Sequence, residues 1–253
     1  MNPSGGSDGR GLTTAELQAR FEQFAQQAST DVRISDQLTA WLESHRRWHS
    51  LWTAQRATSQ PSALELLIPS PASADAGRWV HPVAGEAPEL DAWRATWQAR
   101  SRDDRDGFSI AFARIFSLIQ SNPDSFADGC RQLEHAAGSN GLPLAAFTPA
   151  LAALEPARYV VMCDAWLPAV GQYDAAARRL KAASAFPELN SLAIRMLAAA
   201  ERDGSRSALL ASAPMAVRFG TFCSWLTRTS ADGGSAPRFD VTQKKYKDWP
   251  PMW

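Results

Sequence analysis

The chain of 253 residues is 45% hydrophobic, and its formal net charge is zero because 26 Lys and Arg balance 26 Asp and Glu. This length allows one large domain or two small ones with a sizeable core, and the neutral balance provides no global field that would attract nucleic acid or a membrane surface. The three cysteines are far apart and form no Cys-x-x-Cys pair, which disfavours a disulfide scaffold or a cysteine-rich zinc site. No run approaches 18 apolar residues and no signal-peptide pattern is present, so we expect a cytoplasmic protein.

The first element in chain order is a helix that follows a polar, glycine-rich segment. Residues 1–12 are predicted to be disordered, because they contain almost no large apolar side chains. Thr13 with Glu16 three positions later is a capping-box pattern. It predicts a helix over residues 14–28, which opens an N-terminal helical region at residues 13–140.

A second helix is predicted to begin at Ser35 or Asp36 and to end near Ala57. Its apolar residues recur on one helical face, as in an amphipathic helix that packs on a core. The residues of this stripe are Leu38, Trp41, Leu42, Trp48 and Trp52.

Residues 59–90 interrupt the helical pattern, because prolines recur between Pro61 and Pro88. Short apolar runs lie between them, and this combination predicts loops with a small β element near residues 64–83.

Helical periodicity returns after Pro88 and continues to the middle of the chain. We predict helices at Pro88–Arg100 and Phe108–Ile119, the second buried on all sides, and a charged turn between them at Arg102–Asp106. A further helix is predicted to begin at Pro123 or Asp124 and to end before Gly138.

The alanine-rich C-terminal helical region is predicted at residues 141–230. Thr148 as N-cap and Pro149 at the first helical position predict the start of a short helix that Pro156 ends. The β-prone stretch at residues 158–163 fits a second short strand or the start of a helix. Three further helices are predicted at residues 173–184, 187–201 and 214–229.

Residues 231–253 are predicted to be a flexible linker followed by an aromatic and basic tail. The linker is rich in glycine and serine, and Pro250-Pro251 favours an extended conformation. Because apolar rings are unfavourable in a solvated tail, we expect this segment to pack on its own domain, on a partner or on a continuation of the chain, and we favour a partner. The predicted partner-binding residues are Lys244, Lys245, Tyr246, Trp249, Pro250, Pro251, Met252 and Trp253.

Two histidines are the strongest candidates for a metal site. His45 and His49 are four positions apart on the second helix and fall on its apolar stripe, a spacing that can place two imidazoles on one zinc ion. Position 46 is Arg, where a helical zinc hydrolase has Glu. We therefore favour two core or interface histidines bonded to backbone, and we predict no metal and no cofactor.

Other candidate chemistry is weaker still. Trp41, Trp48 and Trp52 could stack on bases, although tryptophans at helical spacing usually belong to a core. Cys163 lacks the context of a nucleophile elbow, which favours a buried thiol. No phosphate-binding loop is present, because neither Gly-x₄-Gly-Lys-Ser/Thr nor Gly-x-Gly-x-x-Gly occurs. We predict no catalytic residue.

Three segments and the end of the chain together resemble a known family. Thr148–Tyr159 resembles "S-P-I-L-x-A-L-x-P-x-R-Y" of the region upstream of the motor in McrB-like AAA+ proteins, and Phe186–Asn190 is similar to the "Y-P-x-x-N" of that family. Phe219–Leu226 resembles "F-D-x-F-C-H-W-L", with Ser224 where the family has His. Trp249–Trp253 is similar to "W-P-P-M-W". The resemblance covers about residues 145–253, and the AAA+ motor itself has no counterpart.

The resemblance implies a bacterial restriction or phage-defence context. With the residue patterns, it predicts a mainly α, bundle-like fold, as one body or as two lobes that meet near residues 138–147. The expected function is a non-catalytic recognition or assembly module of a McrB-like system, which docks an AAA+ motor or nuclease subunit through its tail. Two alternatives stay open: nucleic-acid binding through the basic aromatic tail, and a metal-dependent enzyme at His45 and His49.

Overall fold

The computed structural model describes residues 11–56, 83, 86–138, 141–201 and 208–231. Within these ranges the chain forms ten α-helices and four short 3₁₀ turns, and no strand. The mainly α prediction is therefore confirmed. The helices are α1 (Thr14–Thr30), α2 (Val32–Arg56), α3 (Pro88–Ala99), α4 (Arg102–Ser121), α5 (Phe126–Ala137), α6 (Leu144–Leu154), α7 (Leu167–Tyr173), α8 (Phe186–Ala200), α9 (Ala208–Ser212) and α10 (Met215–Ala231).

The N-terminal helix begins where its capping box predicts. The Thr13 side chain accepts a hydrogen bond from the Glu16 backbone N–H at 3.3 Å, and the Glu16 carboxylate accepts one from the Thr13 backbone at 2.7 Å. Two of the otherwise unpaired first-turn donors are thereby satisfied. The second helix begins earlier than predicted, because Asp31 accepts a hydrogen bond from the Arg33 backbone N–H at 2.9 Å and caps it.

The charged turn predicted at Arg102–Asp106 is wrong, because these residues form the first turn of α4. Ser101 caps the helix by accepting a hydrogen bond from the Asp104 backbone N–H at 3.1 Å. Acidic side chains in a first turn interact favourably with the positive end of the helix dipole. The helix is also less buried than predicted, since Ile110 is 60% exposed.

The start predicted for the helix at Thr148 is wrong, since α6 begins at Leu144 and contains Pro149 in its interior. A proline there cannot donate to the carbonyl four residues earlier and usually weakens a helix. The helix persists because it is almost entirely buried, so packing outweighs the lost hydrogen bond. The helix predicted at residues 173–184 is also wrong: two 3₁₀ turns lie there, at Ala175–Arg179 and Ala183–Ala185.

The small β element predicted near residues 64–83 is not supported. Residues 64–82 lie outside the described ranges, and Val83 belongs to a turn closed by a hydrogen bond from the Glu86 backbone N–H at 2.9 Å. Residues 158–163 are not a strand either.

One hydrophobic core joins the two predicted helical regions across residue 140. α1 packs against α2 and α8, whereas α2 packs against α6 and α10. α4 packs against α5. α10, which corresponds to the helix predicted at residues 214–229, buries Phe219, Phe222, Cys223 and Leu226. None of the described helices has the length and apolar character needed to cross a membrane.

Gly220 of α10 lies directly against the Trp41 ring of α2. A Cβ atom there would lie 2.5 Å from Cζ3 of Trp41, whose side chain is 1% exposed and packs on Trp166 with ring centroids 5.7 Å apart. The indole therefore has little freedom to move away, and a larger residue at position 220 would separate the helices.

We expect Gly220→Ala to lower the free energy of unfolding by about 1–3 kcal/mol, the range of overpacked cores. Gly107→Ala is the matched control, since a Cβ atom at this helical glycine meets no atom within 4 Å. It should raise stability by about 0.5–1 kcal/mol. Urea denaturation of the full chain measures both variants, and equal shifts in the two would contradict the close approach.

Candidate functional site

Two of the segments that carry the resemblance, Thr148–Tyr159 and Phe186–Asn190, meet at one buried stretch, Tyr159–Cys163. Every residue of this stretch is at most 3% exposed, and its backbone belongs to neither a helix nor a sheet. A buried backbone of this kind requires hydrogen-bond partners for its amides and carbonyls. Two polar side chains from the neighbouring segments provide them.

Thr148 on α6 and Asn190 on α8 hold the stretch from two sides. The Thr148 hydroxyl accepts a hydrogen bond from the Met162 backbone N–H at 3.0 Å and donates one to the carbonyl of the same residue at 3.2 Å. The Asn190 amide accepts from the Val160 backbone N–H and donates to the Arg158 carbonyl, both at 2.9 Å. Each side chain thus makes the two hydrogen bonds that a residue of a neighbouring strand would make in a sheet.

This arrangement explains why a β-prone sequence at residues 158–163 forms no strand. β propensity largely measures how well residues fit a buried, pleated surface. Here the surface is made by helices, and the two side chains satisfy the backbone groups that a sheet would otherwise pair. We call these residues, Thr148, Arg158–Met162 and Asn190, the buried frame.

The aromatic residues of the segments fill the space around the frame. Phe186 packs edge-to-face on Phe126 and on Phe147, with ring centroids 5.9 and 5.4 Å apart. In the third segment, Phe222 packs on Phe21 of α1 with ring centroids 5.0 Å apart. These contacts explain by packing alone why the segments have aromatic residues at Phe186 and Phe222.

A second polar cluster centres on Glu86, just before α3. Its Oε1 atom accepts hydrogen bonds from Ser224 Oγ at 2.7 Å and from Arg228 Nη2 at 2.6 Å, and its Oε2 atom accepts one from Trp166 Nε1 at 2.9 Å. Gln37 of α2 joins the cluster, because its Nε2 atom donates to Ser224 Oγ at 2.9 Å. We call these five residues the Glu86 cluster.

The Glu86 cluster connects four parts of the chain. The side chain of Ser224 is fully buried, whereas 17% of the Glu86 side chain and 32% of the Arg228 side chain are exposed. Hydrogen bonds to a charged partner in such a half-buried setting are stronger than neutral ones. The cluster therefore fixes the start of α3 against α10, and all the atoms described here are used internally.

A second carboxylate, Glu89, lies beside the same loop. Its Oε1 atom accepts a hydrogen bond from the Asp164 backbone N–H at 2.9 Å, and Lys181 Nζ lies 3.6 Å from a carboxylate oxygen of Asp164. Burial raises the pKa of Glu89, although the hydrogen bond from Asp164 acts in the opposite direction.

The two histidines proposed as metal ligands both contact α6. His49 is exposed, and its Nδ1 atom lies 2.7 Å from the Ala153 carbonyl oxygen. Burial lowers the pKa of His45, and the neighbouring His49 adds to this effect. The described residues contain no group of three His, Cys, Asp or Glu that could hold a metal ion.

The other candidates for chemistry lie in the core. Trp41 is buried against Trp166 and cannot stack on a base, while the side chains of Trp48 and Trp52 lie outside the described part of the structure. Cys163 is 0% exposed, and burial raises the pKa of its thiol well above the usual value. A thiol of this kind is a poor nucleophile at neutral pH.

The predicted partner-binding residues of the tail lie outside the described ranges, which end at residue 231. The site prediction for Lys244, Lys245, Tyr246, Trp249, Pro250, Pro251, Met252 and Trp253 therefore stays a prediction.

One open groove of about 470 Å³ lies where α3, α4 and α5 meet. Its floor is apolar, with small residues around Phe108, and its rim carries Asp103 and Asp104. Arg100 also lies in it, held over the Trp97 ring at 5.5 Å and donating to the Ala137 carbonyl at 2.6 Å. The lining residues are Arg100, Asp103, Asp104, Gly107, Phe108, Ala111, Ala136, Ala137 and Gly138.

Sequence reasoning missed the Glu86 cluster and the groove. Glu86 and Arg228 are 142 positions apart, and no periodicity or motif connects them. The groove has a partial signal in the sequence, because the charged run Arg102–Asp106 contains Asp103 and Asp104, but the pattern predicts a turn where the structure has the start of a helix.

No protein-family model matches this chain, and neither does any curated protein or any solved structure.

Proposed function

We propose that this chain is a non-catalytic recognition or assembly module of a McrB-like restriction or defence system, separate from the AAA+ motor. The observation that carries the proposal is the use of the polar residues in the three segments. Thr148, Asn190 and Ser224 all bond to other groups of this chain, inside the buried frame or the Glu86 cluster.

Segments of this kind are scaffold elements rather than catalytic ones. A catalytic group must reach a substrate, whereas these three side chains are at most 5% exposed. The departure from the family at Ser224, where His is usual, fits the same role, since the hydroxyl connects Gln37 to Glu86. The residues that remain available to bind a partner are therefore those of the protein surface and of the tail.

The tail is the surface that we assign to the partner, an AAA+ motor or nuclease subunit. Pro250 and Pro251 restrict the backbone before binding, which lowers the entropy lost on association. Trp249, Met252 and Trp253 supply apolar side chains of the type that dominates interface energies.

We expect deletion of residues 234–253 to abolish co-purification with an AAA+ or nuclease subunit encoded beside this chain. The reason is that the aromatic anchors and the prolines are removed together, while the described helices stay intact. Affinity purification of tagged full-length and truncated chains, co-expressed with those subunits, makes the measurement.

Two double variants separate the contribution of the tryptophans of the tail from that of its lysines. The double variant Trp249→Ala, Trp253→Ala should weaken partner binding at least as much as a hot-spot loss, about 2 kcal/mol or roughly 30-fold. The control Lys244→Ala, Lys245→Ala should weaken it less. Undiminished co-purification of the truncated chain would contradict the proposal, and loss of salt-sensitive DNA binding only in the lysine variant would favour the nucleic-acid alternative.

A further inference from the structure

We propose that the groove between α3, α4 and α5 binds the C-terminal tail of the same chain. The groove has the size of small-ligand sites, and apolar residues form its floor. A Cβ atom added at Gly107 or Gly138 would meet nothing within 4 Å, so the groove is open beside both residues.

The electrostatics of the groove favour a cationic and aromatic occupant. Two carboxylates, Asp103 and Asp104, lie on the rim against one cation, Arg100, which is already bound to Trp97 and to the Ala137 carbonyl. The C-terminal end of α5 contributes partial negative charge and the N-terminal end of α4 contributes partial positive charge, so the negative character of the groove comes from the two carboxylates.

The tail has the complementary composition. Lys244, Lys245 and Lys247 precede two indole rings, those of Trp249 and Trp253. Three of the four lysines of the whole chain lie in this stretch. Ammonium groups suit the acidic rim, and an indole suits a floor of small apolar side chains around Phe108.

The chain can also span the distance. Arg228, near the end of α10, lies 2.6 Å from Glu86, which precedes α3 by two residues. α3 has 12 residues and is therefore about 18 Å long, and it ends beside Arg100 in the groove. The linker at residues 232–243 can extend to about 40 Å, so Lys244 reaches the rim without any movement of the helices.

The consequence is that a partner and the groove compete for the same aromatic residues. The binding of the tail in the groove does not require that the proposed function is correct. Only the regulatory role of this binding rests on the proposed function. In that reading, the tail is covered until a partner of higher affinity displaces it, and the apparent affinity of the partner falls by the fraction of chains with a free tail.

The native cysteines make a direct test practical, because all three are buried at 0% exposure. We introduce Ala111→Cys in the groove together with Met252→Cys in the tail of the full-length chain. The control pair is Val32→Cys with Met252→Cys, since Val32 is 71% exposed and lies on α2 outside the groove. Mild oxidation followed by peptide mass spectrometry measures the rate of each disulfide.

We expect the groove pair to form an intramolecular disulfide about tenfold or more faster than the control pair, because a bound tail raises the effective concentration above that of a free tether. Adding Asp103→Lys to the groove pair should slow it toward the control rate, because it reverses charge on the rim. Equal rates for the two pairs, or a disulfide that forms mainly between two chains, would overturn the proposal. Neither result would affect co-purification with a partner, so the proposed function is tested separately.

Discussion

Replacing Asn190 by alanine is expected to lower the free energy of unfolding by about 2–4 kcal/mol. The side chain is 5% exposed and makes two hydrogen bonds at 2.9 Å, to the Val160 N–H and the Arg158 carbonyl. Val160 is fully buried, so its backbone N–H cannot turn to water, and an unpaired buried group costs about 1–3 kcal/mol. Urea denaturation, analysed at constant m-value, measures the loss.

The neighbouring Ser191 provides a matched control for this prediction. It is exposed, and its hydroxyl bonds only to the Pro187 carbonyl of its own helix at 3.0 Å. Ser191→Ala should therefore change stability by no more than about 0.5 kcal/mol. If Asn190→Ala were as mild as the control, the buried frame would not be what orders residues 158–163.

Substitution of Glu86 by glutamine is the second large effect, with an expected loss of about 2–3 kcal/mol. A glutamine keeps the shape but offers one acceptor oxygen and an NH₂ group. Ser224, Arg228 and Trp166 all donate to the two carboxylate oxygens, so at least one donor would face the NH₂ group. The value lies below that of a fully buried ion pair, because Arg228 is 32% exposed and solvent screens part of the interaction.

Glu89→Gln is the control for the loss of one negative charge in Glu86→Gln. Its Oε1 atom can still accept from the Asp164 N–H, and its Oε2 atom has no hydrogen-bond partner in the described part of the chain. We expect a change within about 0.5 kcal/mol. The double variant Glu86→Gln, Ser224→Ala then tests the cluster, since residues in one network are not additive. Additive losses would show that Glu86 acts alone.

Most helices were predictable because their signals are local. The capping box of Thr13 and Glu16 and the helical periodicity after Pro88 each depend on residues within a few positions. The errors came where local signals compete with tertiary contacts. Thr148 resembles an N-cap, yet its hydroxyl is used by Met162, and the helix begins four residues earlier.

The candidate sites show the same contrast between local sequence signals and tertiary contacts. The sequence indicated that His45 and His49 belong with core or interface residues, and His49 lies 2.7 Å from a backbone carbonyl. It gave no indication of Glu86, because a lone glutamate in a proline-rich segment resembles a solvated residue. Glu86 is not a solvated residue in the structure, because Ser224 and Arg228 of α10 donate hydrogen bonds to its carboxylate.

The amino-acid sequence by itself determined that this protein is built of amphipathic helices, because helical periodicity and caps depend on neighbours along the chain. Only the tertiary structure decided that residues 159–163 belong to neither a helix nor a sheet, and that Glu86 has three donors. The physical reason is distance along the chain: Asn190 is 30 positions from Val160, and Ser224 is 138 from Glu86. Hydrogen bonds across such separations exist only once the hydrophobic core has brought the helices together.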